Sequence, residues 1–345
     1  MRRPFVVALC ALALSACGGS DADPPADAPA WRTLAPATLA RTEVAAARVG
    51  RYVYVMGGFE RDSGVSTAAT ERYDIERDRW SRVADMPVAL NHAAAASYGG
   101  EVYVLGGYRG RGALTDETNG LYRYEPERDR WSRLPSAPTA RGALAVGVIG
   151  HRMYAAGGAA PQRGALKTLE IYDFARRRWR AGPDMGVARE HLAGAVAGGR
   201  FYVLAGRAAG AGNFRVVEAF DPRTRRWSRV PEMRKARGGI AAATVGGEAG
   251  EAHAGDERRA QRWRSRGPRQ ARGRIVVVGG EEQAGTIREV ELFDPATRRW
   301  RRLPDLPTPR HGLGAVARAG RVYVLEGGDK PGFAFTNTLE VLTLR

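Results

Sequence analysis

A tryptophan followed 26 residues later by a glycine doublet recurs along this chain. Trp31 leads to Gly57-Gly58, Trp80 to Gly106-Gly107 and Trp131 to Gly157-Gly158. The same interval takes Trp179 to Ala205-Gly206 and Trp300 to Glu326-Gly327, whereas Trp227 reaches Gly279-Gly280 only after 52 residues. The stretches between are short, rich in β-branched and aromatic residues, and alternate in polarity, as strands do. A strand-only repeat of about fifty residues predicts a closed ring of small sheets, because each unit has a hydrophobic face that only its neighbour covers. The chain is therefore expected to be all-β, a β-propeller, and the six doublets predict six blades.

Each unit supplies four strand-like segments. In the first they are Val44 to Val49, Tyr52 to Met56, Glu71 to Asp74 and Trp80 to Val83. The last unit stops without a tryptophan strand, and the chain begins with one that has no blade, Trp31 to Leu34. Placing that N-terminal strand in the last sheet completes the sixth blade and covers an exposed edge.

A tyrosine stands three positions before most doublets, at Tyr54, Tyr103, Tyr154, Tyr202 and Tyr323. Aromatic–acid pairs precede the tryptophans, at Tyr73-Asp74, Tyr124-Glu125, Tyr172-Asp173, Phe220-Asp221 and Phe293-Asp294. With the doublet and the tryptophan, this pattern resembles the kelch repeat over residues 31–345. The resemblance implies a six-bladed kelch propeller whose repeated residues are structural. It also implies that the segments before the first strand and after the second share one mouth of the channel.

The N-terminus reads as a targeting segment. Arg2 and Arg3 precede the apolar run Phe5 to Leu14, and Leu14-Ser15-Ala16-Cys17 follows. Residues 1–17 resemble a bacterial lipoprotein signal, which implies lipidation of Cys17 and export to the cell envelope. Residues 18–30 lack apolar periodicity and read as a flexible tether. Both cysteines, Cys10 and Cys17, lie in the signal. The ring therefore has no disulfide and no thiol chemistry, which excludes galactose-oxidase-type copper–radical chemistry, a kelch activity that needs a cysteine–tyrosine bond.

Net charge is +17 and nearly all of the cations are arginine. No nucleic-acid motif accompanies them. The doubled interval after Trp227 places an insert at about residues 248–273, rich in arginine, with Trp263 as its one large apolar residue, and reads as a mobile loop. It shares a face with basic turns at 176–178, 223–226 and 298–299, a candidate patch for an anionic surface.

Ten residues after the tryptophans stand Arg41, Leu90, Arg141, Arg189, Arg237 and Arg310. The five arginines are the candidate ligand-binding residues, an arginine-lined rim suited to carboxylate or phosphate. The competing reading pairs each with a local glutamate such as Glu170 or Glu218. His92, His191 and His311 lie close by in the repeat. Since His311 is one position out of step, its side chain is expected on the opposite face, and no metal or cofactor is assigned. Glu326, Glu190 and His191 are the acid–base candidates for catalysis. Phe333, Phe335 and Tyr108 offer stacking faces. The favoured function is a monomeric, lipid-anchored binding module for an anionic small molecule, acidic glycan or protein. The alternative is a carbohydrate-active enzyme resembling N-acetylneuraminate epimerase.

Overall fold

The computed structural model describes residues 28–246 and 273–344. The signal with Cys17, most of the tether and the insert at 248–273 lie outside the described residues. Six antiparallel four-stranded units surround a central axis, and no helix occurs among the described residues. In blade one the strands are Ala45–Val49, Tyr52–Met56, Thr70–Asp74 and Arg79–Arg82, from the axis outward. Blade six uses Gly314–Arg318, Arg321–Gly327 and Thr336–Thr343. Ala30–Thr33 lies antiparallel against the last of these, with Trp31 opposite Leu342. In blade five, Val245 pairs with Arg274 at the neck of the insert.

Composition follows radius. Strands next to the axis are crowded and carry small residues, as in Ala94–Tyr98 (AAASY) and Ala193–Ala197 (AGAVA). The second strands are buried and β-branched, with Val53, Tyr54 and Val55 at 0–1% exposure. Blades pack face to face. At the last junction Val316, Tyr323, Leu325, Leu339 and Val341 of blade six meet Val53, Val55 and Tyr73 of blade one.

Each tryptophan does more than fill this interface. Its indole N–H donates to a backbone carbonyl of the preceding blade's linker: Trp80 to Ala35, Trp131 to Ala84, Trp179 to Pro135, Trp227 to Pro183 and Trp300 to Pro231, all at 2.8 Å. Trp31, in the N-terminal strand that completes blade six, does the same to Pro304 of the blade five–six linker at 2.9 Å. The glycine doublet is a second inter-blade joint. Gly57 and Gly58 are left-handed, and Gly58 N–H donates to the Leu90 carbonyl of the next blade at 2.8 Å. A Cβ on Gly58 would come within 2.6 Å of the Thr42 carbonyl oxygen, so only glycine fits.

Beneath the mouth lies a layer of buried ion pairs. Arg41, Arg141, Arg189, Arg237 and Arg310 are 0–1% exposed. They pair with Glu71, Glu170, Glu218, Glu291 and Glu340 of the third strands at 2.5–3.1 Å. Each guanidinium also donates to second-strand or doublet carbonyls, as Arg141 does to Ala155 and Arg189 to Val203. The glutamates in turn accept from the linker turns, Glu170 from the Thr139 hydroxyl and Glu218 from Gly186 N–H. The expected open arginine rim is therefore corrected. These side chains are interior braces, because each has a glutamate within its own blade that holds it below the surface. Blade two replaces both halves at once, with Leu90 and Tyr122 in one apolar cluster, as expected if either ion alone is costly to bury.

Glu326, the residue standing where other blades have glycine, clamps this layer across the ring junction. Its carboxylate receives Nε and Nη2 of Arg41 at 2.9 and 2.8 Å, and its carbonyl receives Nε of Arg310 at 2.8 Å. The corresponding Nε atoms of Arg141, Arg189 and Arg237 are buried without partners. Arg41 thus faces two carboxylates, Glu71 and Glu326. Burial pushes the Glu326 carboxyl up to about 7 against the pull of Arg41, with Glu71 adding to the rise.

Two outcomes follow for stability. Arg141→Leu strands Glu170 in the interior and should cost about 3 kcal/mol in urea unfolding; adding Glu170→Leu should restore at least half of that, as in the apolar pair of blade two. An additive double mutant would refute the bracing role. For Glu326, the raised pKa means the folded state holds its proton longer than the unfolded chain, so this group's contribution falls as pH rises from 4.5 to about 7. The stability of Glu326→Gln relative to wild type should therefore grow between about pH 5 and about pH 8, by at most about 3 kcal/mol. A pH-independent difference in denaturation midpoint would contradict this.

Candidate functional site

Just before each inner strand the chain makes one left-handed residue: Glu43, His92, Ala143, His191, Gly239 and Gly312, with φ between 51° and 68°. These positions are joined by backbone hydrogen bonds around the axis. His92 N–H donates to Glu43, Ala143 to His92, His191 to Ala143, Gly239 to His191 and Gly312 to Gly239, at 2.8–3.0 Å. Val44 N–H donates to the Gly312 carbonyl at 3.2 Å and shuts the circle. The residues after each doublet pair back onto these entry segments, as in Thr42 with Phe59, Asn91 with Tyr108, Glu190 with Arg207 and His311 with Gly328. Both sets of segments therefore surround one mouth. At its centre is a cavity of about 90 Å³ with Glu43, His92 and His191 at the polar side and Val44, Leu144, Leu192, Ile240 and Leu313 as an apolar collar.

Titratable side chains converge on this cavity. His92 Nε2 lies 3.0 Å from His191 Nε2 and 3.2 Å from Glu43 Oε2. His311 Nδ1 is 3.3 Å from Glu43 Oε1, and its Nε2 is 3.0 Å from the Lys330 carbonyl oxygen and 3.7 Å from Glu281 Oε2. Glu190 accepts from His191 Nδ1 and from Arg207 Nε, and Arg207 donates onward to Glu281 at 2.7 Å. Burial opposes ionisation of Glu43, but the imidazoles of His92, His311 and His191 outweigh it and hold the carboxyl well below the usual range. Burial presses His92 down to about 4. Burial also works against the His311 imidazolium, yet Glu43 and Glu281 carry its pKa upward.

His311 therefore corrects one expectation. Strand alternation sends neighbouring side chains to opposite faces only inside a strand. His311 precedes the strand Gly314–Arg318 and sits in a single bridge beside left-handed Gly312, so its ring joins the other two. Glu281 is 8% exposed and belongs to the network through Arg207. Of the acid–base candidates, Glu190 and His191 are adjacent in this cluster. Glu326 is not part of it, being fully buried and committed to Arg41. Glu43 was overlooked, although it stands twelve residues after Trp31, as His92 and His191 do after their tryptophans.

Around the cluster stands an aromatic wall. Phe333 packs edge-on against Phe59 at 5.0 Å and Phe335 at 4.7 Å, and Phe59 approaches His92 at 5.9 Å. Phe333 is 54% exposed; Tyr108 is buried beside His92 and donates its hydroxyl to the Ala159 carbonyl. On the opposite face the turns at 176–178, 223–226 and 298–299 carry exposed arginines.

The model of the KLHDC2/KLHL20/DRC7 kelch-repeats domain matches residues 43–249, more than half of the chain, and that of the kelch motif matches residues 264–307. Over 52 residues the chain is 40% identical to human Kelch repeat and BTB domain-containing protein 13, covering 15% of this chain and 11% of that one. Over 75 residues it is 33% identical to the Arabidopsis thaliana F-box/kelch-repeat protein At1g16250, covering 21% and 19%. The matched region thus spans less than a fifth of either relative's length. The glycine doublets, the tryptophan joints and these matches agree: the chain belongs to the kelch-repeat β-propeller family.

Proposed function

We propose that the protein is a non-enzymatic interaction module that receives an acidic protein partner on the mouth carrying Phe333. Kelch domains generally mediate protein interactions, which fits this reading. The observation that carries it is the placement of exposed apolar surface. Leu114 and Phe333 are the large hydrophobic residues left exposed among the described residues, and both lie on mouth loops. A phenylalanine held by two aromatic neighbours is a rigid anchor with little ordering entropy to lose. Arg111, Arg163 and Lys330 are exposed on the same set of loops, which favours an anionic partner and gives association a salt-dependent rate.

The sequence of residues 1–30 supports display of this module on a membrane, with lipid on Cys17 and residues 18–30 as the spacer. Export leaves the mouth facing the envelope space. In this reading the buried arginines hold the ring in shape, and the loop cations meet the partner.

A photo-crosslinking residue at position 333 should give a discrete adduct with one protein in envelope fractions, lost at high salt, while the same residue at position 225 on the opposite face should not. Equal labelling from both faces, or none from 333, would sink the proposal. Separately, Cys17→Ser should abolish palmitate labelling in a bacterial host and move the protein from the membrane to the soluble fraction; unchanged labelling would remove the anchor.

A further inference from the structure

The hydrogen bonding around the mouth leaves one feature without an explanation. Asn91 donates its amide N–H groups to the Tyr108 carbonyl at 3.2 Å and the Ser66 hydroxyl at 2.8 Å. Its Oδ1 must therefore be the atom 2.6 Å from His92 Nδ1, and that nitrogen must carry the proton. Glu190 accepts from His191 Nδ1 and fixes the second ring in the same way. In the neutral rings both Nε2 atoms are then acceptors, and they face each other at 3.0 Å with a carboxylate oxygen of Glu43 at 3.2 Å from the first. Three electron-rich atoms aimed at one point repel one another unless a cation sits among them. A metal ion or a shared proton would relieve that repulsion.

We propose that Glu43, His92 and His191 bind one divalent cation of the zinc class through Oε2, Nε2 and Nε2, with the fourth position open to the mouth. The three donors lie within 4.8 Å of one another. Ligand atoms around tetrahedral zinc stand roughly 3.3 Å apart, so a side-chain adjustment of at most about 1.5 Å closes the set. Two imidazoles and one carboxylate are a donor mix that zinc accepts.

The surroundings match what a metal site requires. Asn91 and Glu190 orient the ligand rings, and His311 Nδ1 stands 3.3 Å from the other oxygen of Glu43. Charge also favours a cation, since three carboxylates, Glu43, Glu190 and Glu281, gather here and, among the described residues, Arg207 is the one arginine ion-paired with any of them. Ala143, Gly239 and Gly312 occupy the other ring positions, so no large side chain fills the fourth coordination site. Glu43, His92 and His191 also hold a left-handed backbone that glycine adopts more easily.

The test uses untagged full-length protein stripped with EDTA. Zinc titrated calorimetrically should bind one per chain with a Kd of about 1 μM or tighter, and should raise the melting temperature. Cobalt should give the visible bands of a tetrahedral site. His92→Gln and His191→Gln should each weaken binding at least about a hundredfold, and Asn91→Ala about tenfold through loss of ring orientation. His151→Gln, an exposed histidine bonded to Tyr98, should change nothing. Metal-free melting curves and circular dichroism confirm that each variant folds. No heat at about 100 μM zinc, or stoichiometric binding that survives in the His92→Gln/His191→Gln double variant, overturns the proposal.

Discussion

Everything in this molecule depends on blade six meeting blade one. A ring of sheets is continuous only when the last sheet is finished, and the fourth strand of that sheet comes from the opposite end of the chain. The junction is held at every radius. Val44 bonds Gly312 at the axis, Arg41 is gripped by Glu326 in the middle layer, and the Trp80 indole reaches the Ala35 carbonyl at the rim. No cysteine lies in the ring to staple it, so these contacts and the apolar seam around Tyr73 and Tyr323 do the work of a cross-link.

The fold was readable because the same residue performs the same task in each blade. A tryptophan that must reach a neighbour's carbonyl, and a glycine that must pass against a neighbour's backbone, repeat with the blade. The buried arginines were misread for a related reason. An arginine ten residues after a tryptophan looks like surface charge until its partner is found in the third strand of the same blade. Those partners, Glu71, Glu170, Glu218, Glu291 and Glu340, were present in the sequence at matching positions. The joint substitution of Leu90 and Tyr122 in blade two was the available sign that the two positions answer to each other.

The candidate site was less legible, because it is built from departures from the repeat. Glu43, His92 and His191 occupy equivalent places in three blades, yet as one acid and two bases they do not repeat a single residue type. His311 comes from the neighbouring position and reaches the same cavity only because the chain there is a left-handed turn. Periodic reasoning finds what is common to the blades. Only the three-dimensional circle brings blades one, two, four and six to a single point.

The circle of left-handed residues has a consequence for how the two halves of the molecule communicate. The peptide groups that link one blade to the next belong to the same residues whose side chains meet over the cavity. A force that draws Glu43, His92 and His191 together therefore acts directly on the joints between blades, with no lever or hinge between. Occupancy at the mouth and cohesion of the ring are one equilibrium seen from two sides, and what the protein holds at its centre would be felt at the junction where its two ends meet.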